Sequence, residues 1–287
     1  MTAQQDALRA VQEAYPDAQM ALIGAAALAL HLPMEWRTTA DIDLVVAISV
    51  ADLTLLSQLP GWKRAPNRQQ RWVAPNGVLV DLVPASLEAL EKRELVWPNG
   101  HVMNLAGIRL ALGATPVVLA EGVSVPVPSV PVIALLKMAA YLDRPRERDK
   151  DLKDLTHIWD SYPPAADDRF FSEEIASRQL DEPRARAFIL GAELRAIVEQ
   201  QDAAIVEQFL AKTAEGHGWA RLLANSPWRF FEQNLQDRVD LPRSSRHLSG
   251  IGRPIGVAAG AELVNLPGAT DDESTSERES CANHRLT

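Results

Sequence analysis

The sequence is poor in cysteine, in long apolar runs and in positive charge. Its single cysteine, Cys281, excludes an internal disulfide and is typical of a reducing compartment such as the cytoplasm. The apolar run LIGAAALAL (22–30) is too short to span a membrane and lacks the basic leader of a signal peptide. A formal net charge of -9 gives no overall electrostatic footprint for nucleic acid. We therefore expect a cytoplasmic protein without a membrane segment. The net charge does not exclude a local basic groove.

The order of patterns along the chain predicts three regions. Short apolar strands alternate with helices over 1–126, helical spacing dominates 127–238, and 239–287 is polar, which is typical of a disordered tail. Within the first region, 51–62 is expected to contain a helix and 69–85 a hairpin around the turn formers Pro75, Asn76 and Gly77. The fold class predicted is α+β, a mixed sheet with flanking helices followed by an α-helical domain.

Two aspartates begin the predicted strand in TTADIDLVV (38–46). Residues two apart on a strand face the same side, so Asp41 and Asp43 project together. Two carboxylates held side by side repel each other unless a cation lies between them. The pattern favours a divalent metal ion, although a pair of loop or N-cap residues before a strand is the plainer alternative.

A third carboxylate, Asp81, interrupts the otherwise apolar strand VLVDLV. Such a strand is expected at the centre of a sheet, where an unpaired carboxylate is costly. Beside the first strand, Asp81 would complete an oxygen-rich site suited to Mg²⁺, with Mn²⁺ as the alternative ion. Two such ions could activate a hydroxyl and stabilise a leaving pyrophosphate. The alternative is that Asp81 pairs with a buried Arg or Lys.

Gly24 and Ala25 lie between a predicted strand and a predicted helix. Small residues there let backbone amides face an anion, so the pair predicts a phosphate-binding turn.

The apolar run follows Asp41 and Asp43 instead of preceding them. That order argues against haloacid dehalogenase-like phosphatases and many glycosyltransferases, which place the pair after the strand.

The segments LIGAAALALH, RTTADIDLVV and VDLV together resemble the nucleotidyltransferase fold of the DNA polymerase β superfamily. Its signature is a turn of Gly plus a small residue, then Asp-x-Asp, then an Asp on a later strand. The chain is most similar to the AbiEii/AbiGii-type nucleotidyltransferase toxins, over residues 20–160. In these, Arg-x-[Ser/Thr]-x-Asp-hydrophobic-Asp precedes a helix Lys and a Lys-Asp-x-x-Asp-Leu segment. The matching residues here are Arg37, Thr39, Asp41, Asp43, Lys137, Lys150, Asp151 and Asp154.

This resemblance implies transfer of a nucleoside monophosphate from a nucleoside triphosphate to an acceptor hydroxyl. Asp41 and Asp43 would hold the metals, and Asp81 would join them and help to activate the hydroxyl. Lys137 would contact phosphate, and the nucleotide site would be completed by Gly24, Ala25, Arg37, Thr39, Lys150, Asp151 and Asp154. Many relatives carry Ser or Gly where this chain has Ala25, which predicts altered affinity, not lost activity. The implied acceptor is an RNA end such as that of tRNA, and the implied partner is a cognate antitoxin.

Plainer interpretations stay open at this point. Lys137 could be a surface lysine whose stem covers a helix, and the run around Lys150 could be a solvated helix face. Basic residues could form an RNA-binding rim or be scattered surface charges: Arg37, Lys63, Arg64, Arg68 and Arg71. The acceptor could instead be a small molecule of the aminoglycoside kind or a protein side chain. A non-catalytic module that binds nucleotide or a partner protein is the competing class.

Overall fold

The computed structural model describes residues 2–34, 39–66 and 68–214. Arg37, the tail at 239–287 and the last part of the predicted helical domain lie outside the described residues. The division of the chain at residue 126 stays a prediction.

A five-stranded mixed sheet carries the residues of interest. Its strands are β1 (Met20–Ile23), β2 (Asp41–Val46), β3 (Lys63–Arg64), β4 (Arg71–Val73) and β5 (Leu79–Pro84), in the order β1-β2-β5-β4-β3. The pair β2 and β5 is parallel, and the other neighbours are antiparallel. The apolar strand β5 is therefore central, as its sequence predicts.

Helices and two small hairpins surround this sheet. The helices of the first region are α1 (Ala3–Ala14), α2 (Gly24–Ala29), α3 (Leu87–Lys92) and α4 (Ile108–Leu112). The hairpins are β6 (Glu94–Val96) with β7 (Val102–Asn104), and β8 (Pro116–Ala120) with β9 (Val123–Pro126). The helix predicted within 51–62 is present at Ala51–Gln58, and it is a 3₁₀ helix instead of an α-helix. Its buried leucines, Leu53 and Leu56, are three residues apart, which is the repeat of a 3₁₀ helix.

Helices alone follow β9 in the described residues. They are α5 (Val130–Asp143), α6 (Asp149–Ser161), α7 (Glu173–Ser177), α8 (Glu182–Ile197) and α9 (Gln200–Ala214), with a 3₁₀ turn at Asp168–Phe171. Ser129 precedes α5 and Pro131 lies in its first turn, a position that proline favours. The α+β class is confirmed: a mixed sheet with flanking helices is followed by a helical region. Among the described residues, no helix is both long and apolar enough to cross a membrane.

The central helix α5 joins the two halves of the core. It packs against α2 and α4 of the first region and against α6, α8 and α9 of the helical region. Apolar residues of the sheet and of these helices belong to one continuous buried cluster. Within it, Tyr141 of α5 meets Phe209 of α9 edge-on, with ring centroids 5.6 Å apart. The helical region thus reaches the sheet that carries the aspartates through α2 and α4, which contact β1 and β2.

A hydrogen bond and two ion pairs connect the start of α9 to Arg93 and Gly107 of the first region. Asp202, 5% exposed, accepts a hydrogen bond from the backbone N–H of Gly107 at 3.1 Å and contacts Arg93 Nε at 3.3 Å. Glu199, which is exposed, also contacts Arg93, at 2.5 Å. The buried member of this cluster satisfies two donors, so its loss would leave both without an acceptor.

We expect Asp202→Ala to lower the free energy of unfolding by about 1–3 kcal/mol, because the buried N–H of Gly107 loses its acceptor and Arg93 loses one of its partners. The matched change Glu199→Ala removes an exposed partner of the same Arg93 and should cost less than about 0.5 kcal/mol. Urea denaturation of both variants measures the difference. Equal losses would contradict the structural role given to Asp202.

Candidate metal centre

The register of the sheet aligns the chemistry-bearing side chains in one row across neighbouring strands. Asp43 of β2 pairs directly with Asp81 of β5, and Asp81 pairs directly with Arg71 of β4. On the other side, Asp43 pairs with Ile23, the last residue of β1. Directly paired residues point to the same face, so two carboxylates and a guanidinium lie side by side.

Asp41 completes a cluster of three carboxylates. It lies two residues before Asp43 on the same face, and one carboxylate oxygen from each of Asp41, Asp43 and Asp81 lies within 4.8 Å of the others. The three side chains are partly exposed, while their strand neighbours Ile42 and Val80 are buried. The predicted convergence of the three carboxylates is therefore present. Their role as metal ligands remains a proposal.

Electrostatic strain in this cluster is concentrated on Asp43. Burial, followed by the charges of Asp41 and Asp81, raises the pKa of the Asp43 carboxyl from 3.8 to about 6. The positive charges of Lys137 and Lys150 act in the opposite direction on this pKa. A cation bound between the carboxylates would relieve the repulsion.

Gly24 lies directly against the Asp43 side chain. It begins α2 with a φ of +72°, a backbone conformation that favours glycine, and a Cβ added there would lie 2.8 Å from Asp43 Cγ. The absence of a side chain at this position thus makes room for the carboxylate. Ala25 is buried, 2% exposed, so the predicted phosphate-binding turn would act through backbone amides.

Thr39, two residues before Asp41, helps to orient the Asp41 side chain. The Thr39 hydroxyl donates to Asp41 Oδ1 at 3.0 Å, and Gln4 of α1 donates its amide to the Thr39 carbonyl at 3.1 Å. Thr39 is 8% exposed. The resemblance predicts a nucleotide contact for this residue, whereas the structure gives it a hydrogen bond to a carboxylate of the cluster.

Arg71 is the residue that the sequence patterns did not assign to the cluster. Its Nε and Nη2 donate to the two oxygens of Asp81, each at 2.7 Å, and Nη2 also contacts Asp41 Oδ2 at 3.2 Å. These bonds to Asp81 are the largest contribution that raises the pKa of Arg71. The turn could have revealed this pairing, because Asn76 lies midway between Arg71 and Asp81 in the hairpin.

The helical residues of the predicted site form a buried group of their own. Lys137 of α5 donates to Asp154 and, at 3.4 Å, to Asp151, both on α6. Lys137, Asp151 and Asp154 are no more than 5% exposed, so the solvated-face interpretation is wrong for the two aspartates. Burial requires each charge to be compensated, which explains the pairing. Lys150, by contrast, is exposed, and its predicted place in the nucleotide site stays a prediction.

Other basic residues of the suggested RNA-binding rim have structural contacts. Arg64 lies over the Trp72 ring, 5.8 Å from its centroid, and donates to the Gln69 carbonyl at 2.7 Å. Arg71 belongs to the carboxylate cluster instead. The described part of the chain therefore assigns two of the five suggested rim residues to contacts within the sheet region.

The carboxylate cluster fits a hard divalent cation. Its donors are all carboxylate oxygens, which suit Mg²⁺ and Mn²⁺ and not softer metals. The repulsion among the three carboxylates, which adds to burial in raising the pKa of Asp43, would be relieved by a cation at Asp41 and Asp43. Asp81 could join as a third ligand, although Arg71 already engages both of its oxygens.

No protein-family model matches the sequence, and no curated protein sequence is significantly similar to it. Among solved structures, the chain is similar to an antigenic nucleotidyltransferase-like protein from Paracoccidioides brasiliensis. The two share 19% identity over 61% of this chain and 84% of the other, with a TM-score of 0.37. A likeness at this level does not establish an activity, so the site geometry has to support the function.

We expect metal binding at this cluster to weaken as the pH falls below about 6, by about tenfold for each pH unit, because a proton on Asp43 competes with the metal. In the metal-free protein, folding stability has the opposite pH dependence to metal binding. The folded state holds this proton more tightly than the unfolded chain, so the free energy of unfolding falls as the pH rises from 3.8 to about 6. Calorimetric titration with Mn²⁺ at about pH 5 and about pH 7.5 measures the effect. An affinity independent of pH would contradict it.

Proposed function

We propose that this protein is a metal-dependent nucleotidyltransferase, which moves a nucleoside monophosphate from a nucleoside triphosphate to an acceptor hydroxyl. The observation that carries the proposal is the cluster of Asp41, Asp43 and Asp81 on neighbouring parallel strands, within 4.8 Å. Carboxylates in this arrangement hold Mg²⁺ together with substrate phosphates. The small-residue turn at Gly24 supports it, because that turn lies directly against Asp43.

The roles of the residues follow from their positions. Asp41, oriented by Thr39, and Asp43 would hold the cation, which supplies charge neutralisation at the triphosphate when bound. The backbone of Gly24 and Ala25 would orient the triphosphate beside Asp43. Arg71 would keep Asp81 in position for the acceptor hydroxyl. The acceptor oxygen forms a bond to the α-phosphorus, the bond to the β-phosphate breaks, and the hydroxyl proton leaves toward Asp81 or water.

The buried pair of Lys137 and Asp154 would act at a distance in this scheme. Lys137 contributes positive potential at Asp43 while its Nζ is engaged by α6. It is therefore proposed as a residue that tunes the cluster and ties α5 to α6. Direct contact of Lys137 with phosphate would require it to leave Asp154.

The acceptor proposed from the sequence resemblance is an RNA end such as that of tRNA. By the same resemblance, the protein would act as a toxin of the AbiEii/AbiGii type in a toxin-antitoxin or phage-defence system, with a cognate antitoxin as partner. These finer proposals rest on the motif residues Thr39, Lys150, Asp151 and Asp154 and on Arg37. Small-molecule acceptors are the alternative within the same reaction class.

One observation favours a second candidate, a non-catalytic binding module. Arg71 places a guanidinium on Asp81 and Asp41, which supplies part of the positive charge that a catalytic metal would bring. A degenerate site that binds nucleotide without turnover could be stabilised in this way. Release of pyrophosphate on addition of nucleoside triphosphate distinguishes an enzyme from such a module.

The test is incubation of the full chain with each α-labelled nucleoside triphosphate, Mg²⁺ and total cellular RNA, beside an Asp43→Asn control. Label in an RNA band that requires Asp43 would support RNA nucleotidyl transfer and identify the base. Pyrophosphate release that requires an added low-molecular-weight cell extract, without label in RNA or protein, would indicate a small-molecule acceptor. Triphosphate binding without pyrophosphate release would favour the binding module.

A further inference from the structure

The row of paired residues across β2, β5 and β4 ends on a cation that belongs to the protein. Arg71 engages both oxygens of Asp81 at 2.7 Å, which is the fork geometry in which guanidinium and carboxylate match best. The side chains of Arg71 and Asp81 are 18% and 14% exposed, so solvent screens this pair only in part. The strand register holds the two residues opposite each other, so the pair does not depend on a loop.

The three carboxylates are therefore not equally available to a metal. Asp81 uses both oxygens on Arg71, whereas Asp41 offers one oxygen to Arg71 at a longer 3.2 Å and the other to Thr39. Among the described residues, the ion pairs of Arg71 go to Asp81 and Asp41 and not to Asp43. A cation entering the cluster would meet the least competition at the Asp43 and Asp41 side.

Charge balance leads to the same result. The cluster carries three negative charges when ionised, and Arg71 with one divalent ion supplies three positive charges. A second divalent ion at Asp81 would lie next to the guanidinium, and like charges at such distances repel strongly in a partly buried site. Without bound nucleotide there are no phosphates to offset that repulsion.

We propose that Arg71 is a positioning residue that occupies the Asp81 side of the cluster permanently, so that the protein binds one divalent cation, at Asp41 and Asp43. This inference rests on the proposed metal-dependent function. It replaces the expectation of two ions that the three carboxylates suggest in the sequence. Arg71 then orients Asp81 as a single carboxylate facing the acceptor, while the metal and the guanidinium together neutralise the cluster.

The test counts Mn²⁺ ions bound to the nucleotide-free full chain, from the loss of the free-ion signal in electron paramagnetic resonance. We expect one ion for the wild type, no more than one for Arg71→Lys, which keeps the charge, and a second ion or about tenfold tighter binding for Arg71→Gln. The control Arg64→Gln makes the same charge change on β3, at a side chain that contacts Trp72 and Gln69, and should match the wild type. Binding that persists in an Asp41→Asn, Asp43→Asn double variant is subtracted.

The outcomes separate this inference from the function on which it rests. Two ions on the wild type, or an unchanged count and affinity in Arg71→Gln, would overturn the role of Arg71 and leave the metal site standing. No Mn²⁺ on either protein above the double-variant background would overturn the proposed metal site itself. Should Arg71→Gln fail to fold, Arg71→Lys remains informative, because two ions bound to it would contradict the charge balance on which the single-ion inference rests.

Discussion

Asp43→Asn should abolish nucleotidyl transfer while making the metal-free protein more stable. Activity is expected to fall by about 10³-fold or more, because a metal ligand is lost and the metal's charge stabilisation amounts to several kcal/mol. Stability at about pH 7.5 is expected to rise by about 1–2 kcal/mol. The reason is that the pKa of Asp43 is raised from 3.8 to about 6. The charge on this carboxylate therefore opposes folding, and the effect is complete above about pH 6.

Opposite signs for activity and stability distinguish a functional carboxylate from a structural one. Asp17→Asn is the matched control, because Asp17 is exposed and precedes β1 outside the cluster. It should change neither label transfer nor the urea midpoint appreciably. The gain from Asp43→Asn should also vanish below about pH 4, where the carboxyl is protonated in both states. A loss of stability in Asp43→Asn would contradict the electrostatic strain assigned to this residue.

Gly24→Ala should disrupt the site through a single methyl group. The added Cβ would lie 2.8 Å from Asp43 Cγ, and the φ of +72° would itself be strained by about 1–2 kcal/mol. The Asp43 carboxylate would have to move, and displacement of a catalytic group by about 1 Å can cost about 10²-fold in rate. We expect Mn²⁺ binding to weaken by at least about tenfold.

Gly77 supplies a control that isolates the clash from the backbone strain. Its φ is +84°, and a Cβ added there would meet nothing within 4 Å. Gly77→Ala should therefore lose about 1–2 kcal/mol of stability and keep wild-type Mn²⁺ affinity and transfer. If the two alanine variants bind Mn²⁺ equally well, Gly24 does not shape the site for Asp43.

Much of the carboxylate cluster is predictable because it depends on local rules. The two-residue repeat of a strand puts Asp41 and Asp43 on one face, and the apolar character of VLVDLV predicts a central strand. Parallel pairing of these strands then brings Asp81 beside Asp43. The start of α5 follows from the preference of proline for the first helical turn, where Pro131 lies.

The parts that composition does not reveal depend on strand register and on contacts between separate elements. Arg71 was grouped with surface basic residues because its partner is defined by hairpin register and not by composition. The burial of Asp151 and Asp154 depends on the packing of α6 against α5, where Lys137 donates hydrogen bonds to both carboxylates. The short elements β6, β7, α3 and α4 contain too few residues for a clear periodicity.

The most direct test of the proposed metal-dependent site is a crystal structure with Mn²⁺ and a non-hydrolysable nucleoside triphosphate analogue, measured for anomalous scattering. We expect an anomalous peak about 2.1–2.2 Å from carboxylate oxygens of Asp41 and Asp43, with the triphosphate against the Gly24 turn. Arg71 should remain on Asp81. A bound analogue whose phosphates lie away from these aspartates, or the lack of an anomalous peak between them, would contradict the proposed function.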